Sequence, residues 1–238
     1  MLLQLFAGGD LRQALLGVFL IIPSVILALS FHEAAHGYIA YKCGDRTAFN
    51  LGRLTLNPLK HLDPVGTLAM LILGFGWAKP VPINPRNFKN PKNGMALTAL
   101  AGPVTNLILG ALGSLLVAVT AFGMFLLNAS ATLPQSSWIP DALRVLYNFF
   151  YYFGYVNILL AVFNMLPIPP FDGSRIFSVI LPSKYYFRIM RYERQIMIGI
   201  FVVLLFCSYV LNFSPFSFLA SRLYDLFLDG AVWLINLF

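Results

Sequence analysis

Four apolar stretches, each long enough to cross a lipid bilayer, constrain this chain more than any other feature. About 20 helical residues cross the hydrocarbon core, and hydropathy predicts helices near 12–41, 94–127, 143–166 and 195–213. Hydrophobic residues make up 59% of the chain and charged residues only 11%. This composition is typical of membrane proteins rather than soluble domains. We therefore predict an all-α integral membrane protein, a polytopic helical bundle with four to six transmembrane helices.

Two further apolar stretches fit a simple span less well. The stretch 216–238 carries Arg222, Asp225 and Asp229 on one helical face, which predicts either a last span with a polar stripe or a helix lying in the interface. The run Val65–Trp77 is too short to span and predicts a re-entrant or partly submerged segment. Backbone of that kind needs protein or a water-filled cavity to satisfy its polar groups. Short β or re-entrant elements are therefore expected on the cytoplasmic side.

The basic residues predict the orientation of the chain in the membrane. The net charge is +7, but thirteen of the sixteen basic residues fall in two connections that flank predicted spans. Under the positive-inside rule both connections lie in the cytoplasm, and the stretch 128–141 lies outside. The charge thus indicates a lipid bilayer, and no nucleic acid, as the partner. The thirteen are Lys42, Arg46, Arg53, Lys60, Lys79, Arg86, Lys89, Lys92, Arg175, Lys184, Arg188, Arg191 and Arg194.

The pentapeptide HEAAH lies near the far end of the first predicted span and indicates a zinc site inside the membrane. Residues four apart share one face of a helix, so His32 and His36 can direct ring nitrogens at one Zn²⁺. Glu33 then lies within reach of a water molecule as general base. The chain has only three histidines in all, so two of them in one pentapeptide favour this interpretation over two histidines with ordinary helix contacts.

A catalytic zinc site needs a third protein ligand, and Asp172 is the best candidate. The first and third predicted spans both run from outside to inside, so their cytoplasmic ends bring His32, His36 and Asp172 to one side of the membrane. Lys42 follows His36 by six residues, which puts the metal on the order of 10 Å below the cytoplasmic boundary. The alternative is that Asp172 only terminates a helix or turn in a proline-rich loop.

Three motifs in order resemble the site-2 protease family of intramembrane zinc metalloproteases. They are HEAAH, the helix start Gly102-Pro103-Val104-Thr105-Asn106, and the segment NMLPIPPFDG from Asn164 to Gly173. The resemblance covers about Ile22 to Ile176 and is strongest for compact members without a PDZ domain. It implies one Zn²⁺ per chain with Asp172 as its third ligand, and substrate-binding roles for Asn106 and Asn164. Gly102 and Pro103 could instead serve close helix packing or a kink, and Asn106 a plain interhelical hydrogen bond.

The resemblance implies an intramembrane zinc metalloendopeptidase that cleaves membrane-anchored substrates within or near their transmembrane segments. We expect one membrane-embedded domain over 1–238, with a catalytic core at about 12–176 and further membrane helices at about 195–238. A prokaryotic plasma membrane, with the active site toward the cytoplasm, is the expected location. Two alternatives stay open: a non-proteolytic metal-binding protein or zinc carrier, for which Glu33 has no use, and a membrane metalloprotease that acts on soluble or lipidated peptides.

Overall fold

The chain is mainly helical in its computed structural model, which describes residues 11–67, 77–130, 138–177, 191–209 and 214–237 and the single positions 179, 185, 188 and 189. The helices are α1 (Leu11–Lys42), α2 (Thr47–Asn50), α3 (Pro91–Ser130), α4 (Ile139–Asn164), α5 (Asp172–Phe177), α6 (Glu193–Tyr209) and α7 (Pro215–Ile235). Single-turn 3₁₀ helices occupy Pro58–Lys60 and Pro85–Asn87.

Within the described ranges, three helices are long and apolar enough to cross a membrane. They cover Leu15–Lys42, Pro91–Ala129 and Ile139–Asn164. The prediction of a helical membrane protein is confirmed for these three. Helix α6 covers most of the predicted fourth span, whose residues 210–213 lie outside the described residues. The total of four to six spans therefore stays a prediction, as does the choice between a span and an interfacial helix for α7.

The predicted re-entrant segment Val65–Trp77 lies largely outside the described residues, which stop at Thr67 and resume at Trp77. The flanks of this gap meet in an isolated antiparallel bridge between Leu62 and Ala78. In the part of the chain that the structure describes, no β-strand is longer than this single bridge. The predicted cytoplasmic β elements thus stay a prediction beyond this one bridge.

Helix α3 is the centre of the bundle and packs against α1, α4, α5 and α7. It approaches α4 closely at two glycines: a Cβ on Gly113 would lie 2.6 Å from the Cα of Gly154. Small residues at such crossings let membrane helices approach closely. Helix α7 packs against α4 near this crossing, where the Tyr224 hydroxyl donates a 3.2 Å hydrogen bond to the carbonyl of Tyr151. This packing fixes the register between α3 and α4, on which the site described below depends.

A stripe of exposed apolar side chains runs along α3. Its members are Val104, Ile108, Leu112, Leu115 and Val119, spaced three or four residues apart. This spacing puts them on one helical face. On a helix of membrane length, such a face is the one that we expect to contact lipid.

The buried carboxylate of Asp45 holds together the loops that follow α1. It accepts hydrogen bonds from the Asn84 backbone N–H at 2.7 Å and from Asn87 Nδ2 at 2.8 Å, besides local bonds from Thr47. Burial opposes ionisation, but these donors outweigh it and lower the pKa of Asp45. Since residues 77–83 immediately precede Asn84, this network also anchors the segment that borders the site.

Candidate metal centre and active-site cavity

His32 and His36 lie one helical turn apart on α1, with their rings turned toward the interior of the bundle. Both residues are buried, at 5% and 6% exposure. Their Nε2 atoms are 3.0 Å apart and the rings meet edge to face. The HExxH spacing therefore produces the shared face that the sequence predicted.

Hydrogen bonds at the opposite ring nitrogens identify which nitrogens are free to bind a metal. His36 Nδ1–H donates to the Thr98 carbonyl at 2.7 Å, and His32 Nδ1–H donates to the side-chain oxygen of Asn106. A neutral imidazole with its proton on Nδ1 has a bare lone pair on Nε2. The two Nε2 atoms are thus both acceptors, and a cation between them turns this repulsive contact into an attractive one.

Asp172, the first residue of α5, completes the group. Its Oδ2 lies 3.1 Å from His32 Nε2 and 3.2 Å from His36 Nε2, and this buried oxygen has no hydrogen-bond partner. The three ligand atoms lie within 4.8 Å of one another. Ligands of a tetrahedral zinc ion with bonds of 2.0–2.1 Å are about 3.3 Å apart. The donor set and its spacing therefore fit Zn²⁺.

Two glycines make room for this arrangement. A Cβ on Gly102 of α3 would lie 2.6 Å from both His32 Nε2 and His36 Cε1. A Cβ on Gly173 would collide with the carbonyl oxygens of Met165 and Leu166, at the end of α4. Gly102 lets α3 lie directly against the imidazoles, and Gly173 lets the chain fold back so that Asp172 reaches them.

Glu33 borders the same cavity as the three candidate metal ligands. Its Oε2 accepts a 2.8 Å hydrogen bond from the backbone N–H of Val81. The cavity has a volume of about 170 Å³, enough for several water molecules or part of a peptide. Its lining comprises His32, Glu33, His36, Pro80, Val81, Ile83, Met95, Thr98, Ala99, Asn164, Pro170, Asp172 and Arg175.

The two asparagines predicted to bind substrate lie in different surroundings. Asn164 borders the cavity, and its Nδ2 donates to the Leu160 carbonyl at 3.0 Å. Asn106 is fully buried: its oxygen faces His32 and its Nδ2 donates to Asn157 Oδ1 at 2.8 Å. Substrate binding by either residue stays a prediction, and Asn106 already has a partner at each end of its amide.

Sequence reasoning missed several groups that surround the site. Thr98 and Val81 act through backbone atoms, so their side chains carry no signal. Asn157 did carry one, since a polar residue within an apolar span indicates a buried interaction. Gly102 was predicted as the start of the second motif, with helix packing or a kink as its alternative role, and the surface against which it packs is the pair of imidazoles.

Three membrane-length helices and a buried His-His-Asp group beside a glutamate define a membrane protein with the residues of a zinc metalloprotease. The comparison with protein families agrees: the model of peptidase family M50 matches residues 19–208. The chain belongs to this family, the site-2 protease family that its motifs resemble.

Curated proteins that are similar to the chain are named as zinc metalloproteases. The chain is 46% identical to "Putative zinc metalloprotease YwhC" of Bacillus subtilis over 68% of its own length and 69% of the relative. It is 30% identical to "Putative zinc metalloprotease Rip2" of Mycolicibacterium smegmatis over 66% of the chain and 56% of that protein. With "Zinc metalloprotease MJ0392" of Methanocaldococcus jannaschii, identity is 28% over 70% of the chain and 34% of the relative. No solved structure gives a significant match.

Proposed function

We propose that this protein is an intramembrane zinc metalloendopeptidase that cleaves membrane-anchored substrates within or near their transmembrane segments. One observation carries the proposal: His32, His36 and Asp172 converge at 3.0–3.2 Å on the wall of a cavity that Glu33 also lines. A metal carrier needs the three ligands but has no use for a base beside them. Membership of family M50 supports the same class of reaction.

The chemistry divides between the metal and the residues of the chain. Zn²⁺ held by His32, His36 and Asp172 would supply Lewis acidity toward the scissile carbonyl and toward water. Glu33 removes a proton from the attacking water and delivers it to the leaving amine. The hydrogen bond from Val81 holds the Glu33 carboxylate at the cavity wall, so the base does not have to be ordered during the reaction.

A transmembrane substrate must unwind before its carbonyls can be attacked, because a helix hides them in internal hydrogen bonds. We propose that the unwound strand pairs with the segments 52–56 and 77–83 by β-addition. In the second segment the N–H groups of Lys79 and Val81 are already engaged, by the His61 carbonyl and by Glu33. Pro80 and Pro82 have no N–H. Arg53 already donates to the carbonyls of Lys79 and Pro80. Pairing there would therefore use the carbonyls of Val81 to Ile83 as acceptors and N–H groups of the substrate as donors.

The proposed placement follows from the charge distribution. The cavity would open toward the cytoplasmic side of a prokaryotic plasma membrane, and one domain over 1–238 would contain a catalytic core at about 12–176. Reporter fusions at the 128–141 connection and at the 43–90 connection would test this orientation. Cytoplasmic activity at the 128–141 fusion would contradict it.

The decisive experiment measures zinc content and cleavage in the same preparations. The purified full chain is incubated in liposomes with a membrane-anchored model substrate, and the products are mapped by mass spectrometry. We expect Glu33→Gln to keep its zinc and lose cleavage by at least about 100-fold, as for removal of a general base. His36→Ala and Asp172→Ala should lose both zinc and cleavage. The other glutamate of the chain supplies the control Glu193→Gln, which should match wild type.

The alternatives give different results in this assay. If Glu33→Gln keeps every activity that His36→Ala abolishes, the protein is a metal binder or zinc carrier and the protease proposal fails. If the mapped cut falls only in soluble or lipidated peptides, the protein is a membrane metalloprotease of another type. If Asp172→Ala contains as much zinc as wild type, Asp172 is not the third zinc ligand.

A further inference from the structure

A chain of buried amides leads from α4 to the first histidine of the site. Asn157 Nδ2 donates to the Phe153 carbonyl at 2.8 Å, and Asn157 Oδ1 accepts from Asn106 Nδ2 at 2.8 Å. Asn106 Oδ1 then accepts from His32 Nδ1. We propose that Asn157 is a positioning residue that, through Asn106, fixes the proton of His32 on Nδ1 and leaves Nε2 free for zinc. The inference rests on the proposed zinc-dependent function.

The backbone sets the direction of this chain. An asparagine amide has a donor end and an acceptor end, and the two can exchange by rotation. A carbonyl oxygen only accepts, so the Phe153 carbonyl requires the NH₂ end of Asn157. The oxygen of Asn157 then points at Asn106 and requires its NH₂ end. The oxygen of Asn106 is left to face His32, where it accepts the Nδ1 proton.

Both histidines carry their proton on Nδ1, but the two Nδ1–H groups donate to acceptors of different kinds. His36 donates its Nδ1 proton directly to the Thr98 backbone carbonyl, which cannot rotate. His32 depends on an amide that can rotate and that would present a donor if turned over. A donor on Nδ1 favours the tautomer with its proton on Nε2, which cannot bind a metal until that proton leaves. Asn157 fixes the orientation of the Asn106 amide and so removes this ambiguity at His32.

Burial of both asparagines fixes the orientation of their side-chain amides. Asn106 and Asn157 are both 0% exposed, and Asn157 lies within a membrane-length helix. Neither side chain has solvent-exposed surface, so each amide keeps the orientation that its neighbour dictates. A plain interhelical hydrogen bond between α3 and α4 would account for the burial of both residues, but it would place no requirement on His32.

The first test measures zinc affinity of the purified full chain by competition with a chelator. Asn157→Leu keeps the approximate size of the side chain and removes both hydrogen bonds. Loss of an outer-sphere partner costs about 10- to 100-fold in metal affinity, and we expect a loss in this range. Ser24→Ala is the matched control, because Ser24 is equally buried but bonds only to the Leu20 carbonyl of its own helix. It should bind zinc as wild type does.

A second variant separates positioning from structural support. A carboxylate presents an acceptor in either orientation, so Asn106→Asp no longer needs Asn157 to direct it. Combined with Asn157→Leu, it should recover zinc affinity to within about threefold of wild type, with a four-coordinate visible spectrum when Co²⁺ replaces zinc. Alone, Asn106→Asp sets a carboxylate oxygen against Asn157 Oδ1, and it should bind zinc more weakly than the double variant does. If Asn157→Leu weakened zinc binding only by disturbing helix packing, adding Asn106→Asp would not restore the affinity.

The outcomes distinguish this inference from the proposed function. If His36→Ala loses zinc while Asn157→Leu binds with wild-type affinity, or if the double variant stays as weak as Asn157→Leu, the positioning role is overturned and the protease stands. If His36→Ala binds zinc as wild type does, the proposed zinc site is wrong, and both the proposed function and the positioning role fail. Folding is checked by circular dichroism and size exclusion in detergent. If Asn157→Leu does not fold, Asn157→Ala takes its place with the same expectations.

Discussion

The backbone N–H of Val81 donates a 2.8 Å hydrogen bond to Oε2 of Glu33, a residue 48 positions earlier in the chain. The proposed general base is thus held by the same segment, 77–83, that is proposed to receive the substrate. Arg53 in turn holds this segment, since its Nη2 donates to the carbonyls of Lys79 at 2.8 Å and Pro80 at 3.2 Å. A change in the segment should therefore affect base and substrate together without touching the metal ligands.

Arg53→Ala tests this connection. Without the guanidinium, the segment loses two charge-assisted hydrogen bonds, each worth about 1.5–3 kcal/mol when shielded and less at an exposed site. We expect kcat/KM for a membrane-anchored substrate to fall about 3- to 10-fold while zinc content is unchanged. Lys60→Ala, an exposed basic residue in the same connection, is the control and should cleave as wild type does. A loss of zinc in Arg53→Ala would show that the segment supports the metal centre instead.

Alanine substitutions along 77–83 test the β-addition step. Pairing through main-chain atoms predicts a small effect for each side chain and a larger one where replacing a proline adds an N–H and releases the fixed φ angle. Pro82→Ala should therefore lower cleavage more than Trp77→Ala does, measured as initial rates at one substrate concentration below KM. Unchanged cleavage across the whole series would count against strand addition.

Gly102→Ala tests the close contact between α3 and the imidazoles. The added Cβ would lie 2.6 Å from His32 Nε2 and from His36 Cε1, and both rings are part of a packed interior that cannot easily shift. Zinc affinity should fall by about 10-fold or more, measured by chelator competition. Gly123→Ala on the same helix is the control, since a Cβ there meets nothing within 4 Å. Equal zinc affinity in the two variants would mean that α3 moves away at no cost.

The parts of the site that depend on periodicity were predictable from the sequence. A four-residue spacing alone puts His32 and His36 on one face, and hydropathy with charge bias predicts that Asp172 lies near the cytoplasmic end of the third span, on the same side. The three long helices α1, α3 and α4 were also predictable, because an apolar run of membrane length has few alternatives to a helix.

The remaining contacts depend on how the helices are rotated and slid against one another, which periodicity does not specify. The crossing at Gly113 and Gly154 sets that register, and only then do Asn106 and Asn157 meet. The carbonyl of Thr98 and the N–H of Val81 are present in almost any residue, so no side chain marks them as partners of His36 and Glu33. Residues of this kind can be found only from coordinates.

Asp45→Asn tests the network that anchors the segment 77–83 from its other end. Because the folded state lowers the pKa of Asp45, its ionised form stabilises the fold at neutral pH, and this contribution is lost as pH falls below the ordinary aspartate value of about 3.9. Asp45→Asn should therefore lower the melting temperature at pH 7 by about 5 °C. The gap to wild type should narrow below about pH 4, as measured by scanning fluorimetry in detergent. Asp141→Asn is the control, because Asp141 is exposed and its contact with Arg144 is 4.0 Å long. A gap that stays constant from pH 7 to pH 3 would show that the Asp45 carboxylate does not stabilise the loop through its charge.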